Sequence, residues 1–340
     1  MPVSLVTGGA GFMGSHIAEQ LLRLGHDVIV LDDLSGGFID NVPNGAAFIE
    51  GSILDFELMD RIFKKYSFNF VYHLAAYAAE GLSHFIKRFN YNNNLIGSVN
   101  IINACVNYGV KCLVFTSSIA VYGSGESPLR EDMVPIPEDS YGISKLAVEQ
   151  ELKVSHEMFN LDYVVFRPHN VYGERQNVGD RYRNVVGIFM NQILRGEPLT
   201  IFGDGTQVRA FTHINDIAPA IARCVDVPAA RNQVFNIGTD VPYTINDMAI
   251  VVAEAMEAKA DVVHLDARNE VKIAFSDHSK AERVFGRQRH TPFPEGVRAM
   301  VAWVKAHGAR ESNVFEDIEV RKNLPASWAR AGQKSISVRE

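Results

Sequence analysis

The sequence predicts a doubly wound, parallel α/β sheet with a smaller, discontinuous α/β domain packed over the carboxyl ends of its strands. Two observations carry this. Short apolar runs alternate with helical patterns through the first half, as right-handed crossovers between parallel strands require. That regular alternation lapses after Pro168. The strand segments are continuous apolar runs, which is how strands covered on both faces read.

In chain order, an apolar run at 3–6 meets three glycines, Gly8, Gly11 and Gly14. A helical pattern at 14–24 follows, with Ile17, Ala18, Leu21, Leu22 and Leu24 as its apolar positions. Gly25 and His26 turn the chain into a second run, 28–31, which ends in Asp32 and Asp33. Further helical patterns fall at 55–65, 92–108 and 142–159, between runs at 70–75, 112–116 and 162–166. Beyond Pro168, residues 172–208 hold loops, a helix at about 185–195 and a short strand from Leu199 to Phe202. Segments 211–225 and 234–238 return to the sheet, and 240–308 carry two more helical patterns with a strand between them. The expected division is 1–171 with 211–239 as the sheet domain, and 172–210 with 240–310 as the second domain. The polar, weakly patterned 311–340 is expected to be a loosely held tail.

The glycine triplet sits where the first strand turns into the first helix. Glycines there permit a tight turn and let the backbone approach a pyrophosphate, which the helix N-terminus faces. Asp32 and Asp33 follow about twenty residues on, placed to accept hydrogen bonds from ribose hydroxyls and to repel a 2′-phosphate. The arrangement is a Rossmann-type dinucleotide site that favours NAD over NADP. Leu74, Ala75 and Ala76 close the run at 70–75, and small residues at that carboxyl end let a dinucleotide lie close.

A second constellation lies at Ser118 and at Tyr141 with Lys145. A Tyr and a Lys at i and i+4 share one helix face. An ammonium beside a phenol favours the phenolate. Work near pH 7 needs about 4 kcal/mol of such help, because a free phenol titrates near 10.

Composition bounds the rest. The chain has 340 residues, a net charge of −7, 47% hydrophobic and 21% charged residues. That suits a two-domain globular protein and does not suggest nucleic-acid binding. No apolar stretch is long enough to span a bilayer, and no signal peptide is evident, so a cytoplasmic protein is expected. Cys105, Cys112 and Cys224 have no metal-like spacing and are expected to be buried free thiols. No metal is expected.

Together these motifs make the chain resemble the extended short-chain dehydrogenase/reductase family. Within it, the likeness is to the NAD-dependent nucleotide-sugar epimerases and dehydratases, and most of all to the UDP-glucose 4-epimerases. The likeness runs from residue 3 to about 308. It rests on Thr7-Gly8-Gly9-Ala10-Gly11-Phe12-Met13-Gly14, Asp32, His73-Leu74-Ala75-Ala76, Asn93-Asn94, Ser117-Ser118 and Tyr141-x-x-x-Lys145. It continues through Arg167-Pro168-His169-Asn170-Val171-Tyr172-Gly173, Phe202-Gly203-Asp204-Gly205, Arg209 and Asp216. The resemblance implies that Tyr141 is the acid/base, that Lys145 binds the nicotinamide ribose and lowers the Tyr pKa, and that Ser118 bonds the reacting oxygen. It adds Phe12, Met13, Ser52, Ile53, Leu74, Asn94 and Pro168 to the expected cofactor contacts. It places Asn170, Asn184, Phe202, Arg209 and Arg268 against the substrate. It also implies a homodimer through a four-helix bundle built from 92–108 and 142–159, with Leu95, Val99 and Ile102 serving that face or the core.

Residues beside Ser118 narrow the chemistry. Dehydratases of the family place an Asp-Glu pair there, decarboxylases a Glu and 3,5-epimerases a Cys. Here stand Ile119 and Ala120, which cannot move protons. The expectation is a 4-epimerase of UDP-glucose and UDP-galactose, working through a 4-keto intermediate. A 4-keto reductase or another epimerase or dehydratase of the family is the alternative. A non-catalytic NAD-binding sensor is the alternative of another class. Three departures from relatives stand out. Ser52 replaces an Asp that bonds the adenine amine, and Ala78 replaces a Lys near the sugar phosphate. Ala274, three residues before Asp277-His278-Ser279-Lys280, replaces a bulky Tyr and leaves room for the acetamido group of UDP-GlcNAc or UDP-GalNAc.

Overall fold

A computed structural model describes residues 1–267, 271–287, 289–310 and 317–329. β1 (Val3–Thr7) leads through the glycine turn into α1 (Phe12–Arg23). β2 (Asp27–Asp32), β3 (Ala47–Glu50), α2 (Phe56–Tyr66) and β4 (Phe70–His73) follow. A short α3 (Glu80–Ser83) precedes α4 (Lys87–Tyr91), which runs through a π-helical turn at Asn92–Ile96 into α5 (Gly97–Asn107). β5 (Cys112–Thr116), α6 (Ser140–Phe159) and β6 (Asp162–Pro168) end the regular part. Next come β7 (Val171–Tyr172), α7 (Val185–Leu194), β8 (Leu199–Phe202), β9 (Val208–Ala210), β10 (Thr212–His213), α8 (Ile214–Arg223) and β11 (Gln233–Ile237). The chain closes with β12 (Pro242–Thr244), α9 (Ile245–Ala255), β13 (Val262–Leu265), β14 (Ile273–Ala274), α10 (Ser279–Phe285), α11 (Phe293–His307) and α12 (Ala326–Ala329).

Seven parallel strands form the main sheet in the order β11-β6-β5-β4-β1-β2-β3. Strand order reverses between β1 and β4, and ligands of such sheets bind outside the carboxyl ends at that point. Successive residues of β1 serve opposite faces. Val6 packs with Ile17 and Leu21 of α1 and Ile217 of α8, whereas Leu5 packs with Phe63 of α2, Ile101 of α5 and Leu152 of α6. Leu95 and Ile102 also go into this second core. Cys105, Cys112 and Cys224 are free and buried.

β3 has no counterpart in the sequence expectations. It is four residues long, lies at the sheet edge and buries neither face fully, and its short apolar stretch, Ala46 to Ile49, lies outside the runs read as strands. β4 ends at His73, so Leu74, Ala75 and Ala76 lie beyond the strand, where the chain is free to line a cleft.

The later elements build short sheets, β12-β9-β14, β13-β8 and β10-β7. α7, α9 and α11 close a separate core through Phe189, Met190, Met248, Val252, Val297 and Val301. The segment expected to be a loose tail needs correction where it is described. Residues of 317–329 pack against the body through Trp328, which is 8% exposed, with Ile318 and Leu324. Burial of isolated apolar side chains, without periodicity, holds it.

Candidate active site

A cleft of about 980 Å³ opens at the carboxyl ends of the strands. Its first half is backbone. Gly8 has φ +69, and a β-carbon there would lie 2.8 Å from the backbone of Ala75. A β-carbon at Gly14 would strike the carbonyl oxygen of Gly8. α1 therefore starts against the turn, with Gly11 as an N-cap that offers no side chain and with no acidic residue in its first turn. The free N–H groups there suit an anion. Asp32 ends β2 with its Oδ2 accepting from the Ala10 N–H (3.0 Å) and its Oδ1 from the Leu34 N–H (2.8 Å). Burial pushes this carboxyl above its ordinary range, and those two bonds oppose the rise. The residues present thus fit a dinucleotide: a cradle without β-carbons, a helix N-terminus and a placed acceptor.

Of the expected cofactor contacts, Gly8, Gly11, Phe12, Met13, Gly14, Asp32, Asp33, Ile53, Leu74, Ala75, Ala76 and Pro168 line the cleft. Ser52 and Asn94 are not among its lining. The Ser52 hydroxyl accepts from the Leu54 N–H at 3.3 Å. Asn94 is 1% exposed and holds the wall from behind, accepting from the Tyr77 N–H (2.8 Å) and donating to the Tyr77 carbonyl (3.1 Å).

The expected reaction centre is set by α6. Asp139 caps its start by accepting from the Gly142 N–H at 2.8 Å, and Asn160 ends it in the left-handed region. Tyr141, Lys145 and Glu149 follow at one-turn intervals, and all three are buried against the sheet. Lys145 Nζ donates to the Thr116 carbonyl at 2.9 Å and lies over the Phe115 ring at 4.7 Å and the Tyr141 ring at 5.7 Å. Burial lowers its pKa to about 7, and the Glu149 carboxylate works against that fall. Tyr141 is pushed up, not down: burial dominates, the Glu80 charge adds to it, and the Ser118 hydroxyl opposes it. The expectation joined Lys145 to the positive nicotinamide ring in easing ionisation of Tyr141; among the groups of the chain itself, burial holds the phenol up.

Beneath the centre lies a buried ion pair. Arg167 donates to Glu149 through Nε (2.9 Å) and a terminal nitrogen (2.5 Å), and Ser117 Oγ donates to the same carboxylate at 2.5 Å. The pair ties β6, α6 and the Ser117-Ser118 turn together. Ser118 itself accepts from the Ala120 N–H at 3.1 Å. Sequence reasoning assigned no role to Glu149 or Glu80. An acid one turn beyond Lys145 was a readable signal for Glu149. Glu80 carried none, because it reaches Tyr141 only through the fold.

Asn170, Asn184, Phe202 and Arg209 also line the cleft. Asn170 (φ +40) donates to the Ala210 carbonyl at 3.0 Å, and Asn184 (φ +60) to the Val171 carbonyl at 2.5 Å. Arg209 donates to the carbonyls of Val208 (2.8 Å) and Val271 (2.5 Å), binding the loop before β14 to β9. His169 stands beside Asn170, its Nδ1 on the Ala210 carbonyl (3.1 Å) and its Nε2 on His278 Nε2 (3.0 Å). Arg268 falls outside the described residues. Ala274 lines the cleft and packs with Ile119 and Leu129. Among the described residues no helix is long and apolar enough to cross a membrane, and no cluster of acids, His and Cys could hold a metal ion.

Residues 4–238 match the model of the NAD dependent epimerase/dehydratase family. A putative UDP-glucose 4-epimerase of Methanocaldococcus jannaschii is 32% identical over 304 residues, 88% of this chain and 98% of that protein. The crystal structure of a Thermotoga maritima UDP-glucose 4-epimerase with UDP-glucose is similar at a TM-score of 0.84 and 34% identity, covering 90% of this chain and 99% of that one. A Thermus thermophilus UDP-glucose 4-epimerase in complex with NAD gives a TM-score of 0.83 and 34% identity, covering 91% and 100%.

Proposed function

Because the chain belongs to the NAD dependent epimerase/dehydratase family, we propose that it inverts C4 of a UDP-hexose, UDP-glucose and UDP-galactose foremost. It is an isomerase that uses NAD. One observation carries the choice of reaction. Next to Ser118 the cleft is lined by Ile119 and Ala120, which cannot move a proton, so the phenol of Tyr141 has no dehydratase-type acid and base following that serine. Chemistry that needs only a phenol and a hydride acceptor fits this site.

Bound NAD⁺ supplies the hydride acceptor and donor for C4, and a positive charge beside the phenol. Tyr141, as phenolate, accepts the proton of the sugar 4-hydroxyl. Ser118 donates to the resulting carbonyl oxygen. The 4-keto sugar turns over in the cleft, and Tyr141 returns the proton to the oxygen of the inverted alcohol. Lys145, fixed by the Thr116 carbonyl, meets the nicotinamide ribose. In this reading residues 1–171 with 211–239 hold the cofactor, with Asn170, Asn184, Phe202 and Arg209 against the substrate. The small Ala274 supports acceptance of UDP-GlcNAc and UDP-GalNAc. A homodimer through α5 and α6 is supported by Ile143, Val154 and Met158, which are exposed at helical spacing on α6. Sedimentation of a monomer would remove that part.

Purified protein without added cofactor should interconvert UDP-glucose and UDP-galactose, followed by NMR. Tyr141→Phe should retain NAD and lose roughly a hundredfold to ten-thousandfold in kcat, the range for a positioned acid/base. A fully active variant would overturn the mechanism. Turnover only with added NADH, with its net oxidation, would make the protein a 4-keto reductase. Loss of water from the sugar would favour a second reading, in which Glu80 supplies the proton transfer that Ile119 and Ala120 cannot.

A further inference from the structure

The segment with the least sequence pattern walls one end of the cleft. Residues 317–329 are fastened first to the sheet side of the molecule. The Glu319 carboxylate accepts from the N–H groups of Arg88 (2.8 Å) and Phe89 (2.9 Å). The N–H groups of Glu319 and Val320 both donate to the Phe85 carbonyl, at 2.9 and 3.1 Å. From that anchorage the chain crosses to the other side. Trp328 meets Phe85 edge to face at 6.1 Å between ring centres, then Tyr182 at 5.4 Å and Phe202 at 6.2 Å. Tyr182, Phe202 and Trp328 all border the cleft. The Thermotoga maritima structure is matched over 99% of its length while about a tenth of this chain is left over, so that fold is complete without a stretch of this size.

We propose that residues 317–329 are a wall of the substrate site, and that Trp328 adds a further aromatic contact, beside Phe202, for the base of the nucleotide substrate. This rests on the nucleotide-sugar reading above. With the sugar at Tyr141 and the dinucleotide on the Gly8–Asp32 side, the diphosphate and base must run toward the far end of the cleft. Arg209 stands along that route, its guanidinium on the carbonyls of Val208 and Val271. A base presents flat π surface, and aromatic rings are what binds it without demanding one hydrogen-bond pattern. Trp328 thereby sets affinity for the nucleotide, and Glu319 acts as a positioning residue that holds the segment carrying it.

The chain has two tryptophans, Trp303 and Trp328. In Trp303→Phe, emission therefore reports Trp328 alone, and titration with UDP should quench or shift it. Trp328→Ala should raise the UDP Kd about tenfold, in line with base–aromatic stacking by alanine substitution. Trp328→Phe should recover most of that loss, and Glu319→Ala should raise the Kd without touching the ligand. NAD content and far-UV circular dichroism should stay as in the wild type in all of them. Unchanged emission together with an unchanged Kd in Trp328→Ala overturns the proposal. A Kd that falls in Trp328→Ala overturns it as well, since the segment would then compete with the nucleotide. The two readings separate cleanly. If the wild type binds none of UDP, GDP and dTDP, the nucleotide-sugar reading fails and takes this one with it. If the wild type binds UDP and Trp328→Ala binds it equally well, only the present inference fails.

Discussion

The two halves of the cleft are made of different material. The half proposed for the cofactor is backbone at the ends of parallel strands: Gly8 and Gly14 remove β-carbons, α1 offers its N-terminus, and Asp32 is held by two N–H groups. The half proposed for the substrate is side chains brought from far apart, with Asn170 and Asn184 in left-handed conformations and Trp328 arriving from the other end of the chain. A backbone site tolerates few residue types. A side-chain site tolerates many, so the first resists change while the second is where specificity can drift.

Glu149 stands at the seam, and it should show the largest effect. Glu149→Gln leaves the Arg167 guanidinium, 4% exposed, without its counter-charge. Breaking a buried pair in this way costs about 3–5 kcal/mol, read as a lower denaturation midpoint. Lys145 also loses the carboxylate that opposes the fall of its pKa. The ammonium then loses its proton at lower pH, and the alkaline limb of the activity profile moves to lower pH. Glu149→Asp should restore part of both. If stability falls and the pH profile does not move, Glu149 holds the fold alone.

Acid stability compares the halves directly, since each contains a buried histidine. His73 is clasped by Thr7 Oγ1 (2.7 Å) and Ser98 Oγ (2.8 Å) on the cofactor side, and His169 by His278 and the Ala210 carbonyl on the substrate side. Burial lowers both to about 3; Lys145 adds to it at His73 and His278 at His169. Between pH 6.5 and about 3 the unfolded chain binds protons at these sites that the folded chain does not. Stability therefore falls as pH falls through that window. Thermal melts from pH 7 to 4 should show the loss, and His73→Gln and His169→Gln should each flatten the slope. A slope changed by neither variant would place the acid sensitivity elsewhere.

The same contrast explains what was legible in the sequence. Gly8, Gly11, Gly14 and Asp32 could be read because few residues fit a tight turn or a ribose acceptor. Tyr141 and Lys145 could be read because helix periodicity puts them on one face. Ser52 and Asn94 were named by position in a motif, yet their side chains bond to the protein itself and the cleft wall runs past them. Glu80 and Trp328 were invisible because their roles depend on contacts between segments distant in sequence. Trp328 lay in a polar stretch with no periodicity to mark it.

Gly14→Ala probes the cofactor half. The methyl group meets the Gly8 carbonyl oxygen, a backbone atom that cannot turn aside. Overpacking of this kind costs about 1–3 kcal/mol, which is about five- to 150-fold in NAD affinity if the helix shifts away from the turn. NAD released on denaturation would measure it. Full occupancy in the variant would mean that the cradle yields more readily than its geometry implies.

Ala274→Tyr asks the corresponding question of the substrate half, and its effect should be the smallest. Ala274 sits in β14 opposite Arg209 of β9 and packs with Ile119 and Leu129, so a larger side chain here enters the cleft beside the Ser118 turn. The ring would take the space of a 2-acetamido group and leave a 2-hydroxyl room to fit. Turnover of UDP-GlcNAc should fall about tenfold relative to UDP-glucose, the scale on which a pocket discriminates by size, while NAD content and the melting temperature hold. Because this half is built of side chains, the protein should remain folded and active on the smaller sugar. Equal loss on both sugars would show instead that Ala274 supports Arg209 and the β9 backbone, and that the substrate half is as intolerant as the cradle it faces.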